Sequence, residues 1–119
     1  MAQGIFVTAI NCMDGRTQEP VARWMKARFG ADYVDAITEP GPDRILAEGP
    51  PELIESIRRR VEISIGAHGS RAVAVVAHDD CAGNPVPRQR HLDQLNLSLI
   101  HISEPTRLLS ISYAVFCLK

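Results

Sequence analysis

Ile5, Phe6, Val7, Thr8 and Ile10 make an apolar, β-branched run of strand length between Gly4 and Asn11, with the continuous apolarity of a strand buried on both faces. The polar, glycine-containing stretch Cys12-Met13-Asp14-Gly15-Arg16-Thr17 then reads as the loop at that strand's C-terminal end. Pro20 suits the first turn of a helix. Val21, Trp24, Met25 and Phe29 recur at helical spacing, and Gly30 is a natural stop. Tyr33 to Thr38 predicts a second short strand. Glu39-Pro40-Gly41-Pro42-Asp43 and Glu48-Gly49-Pro50-Pro51 punctuate a loop, leaving Arg44 to Ala47 at most one helical turn.

The clearest helix runs from Glu52 to Ala67, with Leu53, Ile57, Val61 and Ile65 on one face and Gly69 beyond its end. Glu55–Arg59 and Arg58–Glu62 are favourable i,i+4 pairs outside that face. Arg71 to Ala77 predicts a third buried strand, which delivers His78 at its C-terminal end. Pro85 and Pro87 keep the stretch around Val86 extended, and a helix begins at Arg90. Strands alternating with helices imply an α/β fold with a parallel sheet and right-handed crossovers. Ligands bind such sheets outside the carboxyl ends of the strands. Cys12 and His78 both fall at that edge.

Composition narrows the partners. With 119 residues the chain supports one domain, and 45% hydrophobic with 23% charged residues is ordinary for a soluble globular protein. A formal net charge of −1 gives no electrostatic case for nucleic acid or an acidic membrane. Arg58, Arg59 and Arg60 form a solvated, salt-bridged face rather than a phosphate site. No secretory signal and no membrane-spanning stretch is expected, and three cysteines argue against a disulfide framework. A cytoplasmic, reducing compartment follows as the expectation.

Residues 97–119 stand apart. Leu97 to Arg107 is identical to the translation of a common transposase-type sequencing adapter, and Ile111 to Leu118 resumes the adapter in the same frame after an index at Leu108, Leu109 and Ser110. The expected organisation is therefore an incomplete native domain over residues 1–96 and a non-native tail over 97–119. On this reading His101, Tyr113 and Cys117 carry no functional meaning, and nothing after Asn96 contributes to a site.

The candidate chemistry lies in two clusters. His78-Asp79-Asp80-Cys81 is an H-x-x-C pair close enough in sequence to reach one ion, and Cys12 offers a third ligand from the neighbouring strand end. Zinc accepts a Cys₂His set, and three protein ligands leave a fourth tetrahedral position open, as in catalytic sites. Two buried apolar cysteines and a hydrogen-bonded histidine are the bland alternative. His68 and His91 are isolated and read as surface residues.

Cys12-Met13-Asp14-Gly15-Arg16 with His78-Asp79-Asp80-Cys81 resembles the paired C-x-D-x-R and H-x-x-C signature of the β-class carbonic anhydrases, in particular their shorter carbonic-anhydrase-like relatives. The resemblance runs from about Gly4 to Asn96. It implies a three-layer sandwich around a central, mainly parallel sheet, here C-terminally truncated. It implies Cys12, His78 and Cys81 as zinc ligands, Asp14 as acceptor of a hydrogen bond from zinc-bound water, and Arg16 as the residue that holds Asp14. The implied activity is interconversion of carbon dioxide and bicarbonate, with a homodimer as the full-length assembly.

Two segments depart from that signature. Thr38-Glu39-Pro40-Gly41-Pro42-Asp43-Arg44 stands where the family carries an asparagine- and glycine-rich arginine segment, and Ala82 separates Cys81 from Gly83. Both touch the pocket that orients bicarbonate in the family. Three other functions stay open on the residues: hydrolysis of a related small heterocumulene, zinc binding without turnover, and a thiolate nucleophile at Cys12 assisted by Arg16. The last is disfavoured, because anion-cradling loops span further between cysteine and arginine and Asp14 would repel the anion.

Overall fold

The computed structural model describes residues 3–102 and 111–119. The elements are β1 (Phe6–Cys12), a 3₁₀ turn (Gly15–Thr17), α1 (Gln18–Phe29), β2 (Tyr33–Glu39), α2 (Pro42–Glu48), α3 (Pro51–His68), β3 (Ala72–His78), α4 (Arg88–Ile102) and β4 (Ser112–Leu118). The four strands form one sheet in the order β2-β1-β3-β4, every pair parallel. Among the described residues no helix is long and apolar enough to cross a membrane.

Two apolar layers sandwich the sheet. On one face Val7, Ala9, Ala74 and Val76 pack against Val21 and Met25 of α1. On the other, Ile10, Val73, Val75 and Ala77 meet Ile45 and Leu46 of α2, Ile57 and Val61 of α3, and Leu95 of α4. Successive strand residues point to opposite faces, so a strand covered on both sides must be apolar at every position. Every residue of β3 is accordingly buried. Helices on both faces of a parallel sheet make the three-layer α/β sandwich that the alternation of elements anticipates.

Gly30 and Gly69 end α1 and α3 in the left-handed conformation, with φ of 63° and 66°. Three expectations need correction. The segment around Arg44 to Ala47 is a seven-residue helix, α2, because Ile45 and Leu46 bury into the core and tertiary packing extends the single turn that the flanking glycines and prolines predict. Helix α4 starts at Arg88, where the Pro87 carbonyl accepts from the N–H groups of Arg90 and His91. His91 is fully buried rather than on the surface, and His68 is not isolated: it stacks on Phe6 and bonds Asp35 at 2.7 Å. Outside these corrections, Arg58 pairs with Glu55 at i,i+3 in α3, and Arg60 reaches across to Glu39 of β2.

The described positions of the tail are built into the fold. Helix α4 continues through Leu97 to Ile102, and β4 pairs with β3 over seven residues, with Phe116 against Trp24. The remaining tail positions, 103–110, lie outside the described residues. The physical reason is an open edge. Without β4 the sheet would present unpaired N–H and C=O groups along β3, and this extended apolar segment of strand length satisfies them.

Candidate metal centre

Cys12 closes β1 and His78 closes β3, two neighbouring parallel strands, so both side chains leave the sheet at its carboxyl edge. The chain builds β2 on one side of β1 and β3 on the other. That reversal is a topological switch point, where crevices open in such sheets. After β3 the backbone turns through Asp80, whose φ of 58° is the only positive value at a non-glycine among the described residues; aspartate tolerates that conformation. Cys81 follows, and its sulfur lies 3.8 Å from that of Cys12.

Cys12, His78 and Cys81 are all buried, and one ligand atom from each lies within 4.8 Å of the others. Three such donors can share one metal ion. The imidazole is already oriented for it: His78 Nδ1 donates to the Asp79 carbonyl at 2.8 Å, which leaves Nε2 with the free lone pair. That nitrogen is buried and has no hydrogen-bond partner among the described residues. A buried lone pair left unpaired is costly, and an ion at this point satisfies it.

The sulfurs carry opposing influences. Burial, reinforced by the neighbouring Cys12, pushes the Cys81 thiol up to about 11, while N–H groups of Gly83 and Asn84 favour its thiolate. Without a cation Cys81 therefore keeps its proton at neutral pH, and a metal must displace it. Apparent affinity for a divalent metal should then fall about tenfold, from this thiol alone, for each unit of pH drop between about 9 and 7. Chelator competition across that range measures it, and an affinity flat with pH would exclude Cys81 as a ligand.

Asp14 and Arg16 occupy the turn after β1. Asp14 Oδ1 accepts the Arg16 backbone N–H at 2.8 Å, while the guanidinium grips the carboxylate through Nε to Oδ1 at 3.0 Å and Nη2 to Oδ2 at 2.6 Å. These bonds hold the Asp14 carboxyl well below the usual carboxylate range. Arg16 also donates from Nη1 to Asp80 Oδ2 at 3.2 Å and from Nη2 to the Asp80 carbonyl at 3.1 Å. One side chain thus ties the C-x-D-x-R turn to the H-x-x-C turn. Asp14 Oδ2 lies 4.0 Å from His78 Nε2, beside the ligand cluster.

Sequence reasoning missed the residues that support this turn. Asn11 Nδ2 donates to Thr17 Oγ1 at 3.1 Å, Asn11 Oδ1 accepts the Cys12 N–H at 2.9 Å, and Gln18 Nε2 donates to the Cys12 and Asp14 carbonyls at 2.9 and 3.0 Å. An asparagine ending an apolar run next to a candidate ligand is the signal that could have found the first. A cavity of about 200 Å³ opens at the centre, lined by Arg16, Thr17, His78, Asp79, Asp80, Leu118 and Lys119. Leu118 and Lys119 border this cavity, and neither is among the three residues whose ligand atoms converge. A larger cavity of about 280 Å³, between α3 and β2, lies away from the cluster and is lined by Asp35, Ile63, Ser64 and His68.

No curated protein and no solved structure matches this chain. A family model described as "Putative carbonic anhydrase" matches residues 2–112. With the strand order, the Cys₂His cluster and the clamped Asp14 in place, the chain belongs to that carbonic-anhydrase-like family.

Proposed function

We propose that Cys12, His78 and Cys81 hold zinc and that the centre interconverts carbon dioxide and bicarbonate. The observation that carries the reading is the lone pair of His78 Nε2, buried and unpartnered beside two free thiols, with Asp14 clamped at the rim. The sulfur spacing suits a tetrahedral ion such as zinc. Two thiolates about 2.3 Å from a tetrahedral ion sit about 3.8 Å apart, and the sulfurs here are 3.8 Å apart. When bound, zinc with three protein ligands supplies a water of pKa about 7 at its fourth position, and hence hydroxide near neutral pH.

The chain's own residues supply orientation. Asp14, kept ionised by Arg16, can only accept hydrogen bonds, so it aligns the attacking water by taking its proton-bearing side. Arg16 keeps that acceptor fixed through a bidentate grip. Stopped-flow carbon dioxide hydration by the zinc-loaded protein tests the proposal between about pH 6 and 9. A rate no higher than the buffer's at every pH would defeat the hydratase reading and leave the zinc site standing.

The boundary after Asn96 belongs to the same reading. We propose that residues 97–119 are adapter-derived, carried by the identity of two flanking segments with one adapter frame. The family match and α4 both run past that boundary. Sequencing the source DNA across codon 97 decides between them.

A further inference from the structure

Away from the metal centre, the cavity of about 280 Å³ between α3 and β2 holds a carboxylate and a histidine that the proposed reaction leaves unused. His68 Nδ1 donates to Asp35 Oδ2 at 2.7 Å, and the same oxygen accepts the Ser64 hydroxyl at 2.6 Å. Ser64 has one hydroxyl proton and spends it on Asp35. Thr8 Oγ1, 2.7 Å from Ser64 Oγ, therefore donates to it, and Ser70 Oγ, 2.7 Å from Thr8 Oγ1, donates to Thr8 in turn. Ser70 shares its proton with the Ala72 carbonyl at 3.1 Å. All three hydroxyl residues are buried, so a polarised chain of donors runs out of the core and ends on one carboxylate oxygen.

The arrangement fixes two acceptors at the cavity. Asp35 Oδ2 is taken by Ser64 and His68, while Oδ1 has no hydrogen-bond partner among the described residues. With Nδ1 donating, the neutral His68 ring carries its lone pair on Nε2, which has no partner among them either. Phe6 stacks on the imidazole with ring centroids 4.3 Å apart, so the plane of the ring is set as well as its tautomer. The charges sort in the same direction. Arg60 lines this cavity too, but its charge is matched by Glu39, to which Nη2 donates. The Asp35 charge is matched only when His68 is protonated. Ala36, Ile37 and Ile63 make the remaining wall apolar, and Ile63 is 60% exposed.

We propose that this cavity binds a small primary amine as its ammonium ion, with Asp35 Oδ1 and His68 Nε2 accepting its N–H groups and Ile37 and Ile63 against its carbon chain. An ammonium brings three donors and one positive charge, which complements two fixed acceptors and one carboxylate. An anion would face the Asp35 charge and two acceptors at once. A resident metal ion needs more than two protein donors, and among the described residues three ligating groups converge only at Cys12, His78 and Cys81. The apolar wall selects an amine that carries a hydrocarbon chain over ammonium itself.

The experiment is titration of the full chain with n-butylammonium chloride at about pH 8, where an alkylammonium of pKa about 10 keeps its charge, followed through the backbone amide NMR signals. Saturable shifts are expected at Asp35, Ser64 and His68, with binding at least about tenfold tighter than that of ammonium chloride. Asp35→Asn should weaken n-butylammonium by about 10–100-fold, the worth of a charged hydrogen bond. Asp93→Asn removes an exposed charge on α4 and should leave the affinity unchanged. Should Asp35→Asn fail to fold, His68→Phe keeps an aromatic ring against Phe6 while removing Nε2, and a loss of at least about tenfold is expected there. Four results would each overturn the assignment: no saturation below about 10 mM, butyrate binding as tightly as n-butylammonium, ammonium binding as tightly, or equal losses in Asp35→Asn and Asp93→Asn.

Discussion

Alanine at Cys12, His78 or Cys81 is expected to strip the protein of zinc, with loss of affinity well beyond the roughly 100-fold that an outer partner is worth. Wild type should hold about one zinc per chain, since the three donor atoms converge within 4.8 Å and describe a single site. Each substitution leaves two ligands, which is too few to complete a site around one open position. The His78 variant also removes the buried lone pair at Nε2 and relieves its cost. His78→Ala should therefore lose metal without a matching loss of apo stability. Metal analysis of the purified variants, with thermal unfolding of the apo forms alongside, separates the effects. Equal zinc in wild type and Cys12→Ala would sink the assignment, because only the H-x-x-C pair would remain.

Two of the three residues of the candidate cluster were legible because they end strands whose burial on both faces writes a continuous apolar run, and Cys81 follows in the turn after the second. β1 and β3 announce themselves that way, and Cys12 and His78 are simply the next polar-competent positions. Helix α2 was not legible. Seven residues between two glycine-proline clusters carry too little periodicity, and the helix exists because Ile45 and Leu46 find a core supplied by distant elements. His91 was misread for the same reason. A lone histidine on a helix looks solvated until Asp43, 48 residues earlier, is placed against it. The pairing of β4 with β3 was not legible either, since an open parallel edge accepts an extended apolar segment through backbone hydrogen bonds that no side-chain pattern announces.

Asp14→Asn and Arg16→Ala should each keep zinc yet lose turnover, by about 100-fold where an oriented proton acceptor or its exact placement is removed. The Arg16 side chain is 66% exposed, so its removal costs the fold little and the rate reports function rather than unfolding. The pH dependence sharpens the test. In wild type the Arg16 hydrogen bonds hold the Asp14 carboxyl far below neutrality, so Asp14 stays ionised throughout pH 6 to 9 and cannot shape the profile there. Without Arg16 the carboxyl loses the bonds that lower it and moves back toward the ordinary range of about 4, still below the window. Activity should therefore rise with pH through about 7 in both proteins, following the metal's water, with the same midpoint and a lower plateau in the variant. Stopped-flow hydration with zinc content measured on the same samples gives the profile. A midpoint displaced by a unit or more in Arg16→Ala would mean that Arg16 acts on the metal's water directly rather than through Asp14.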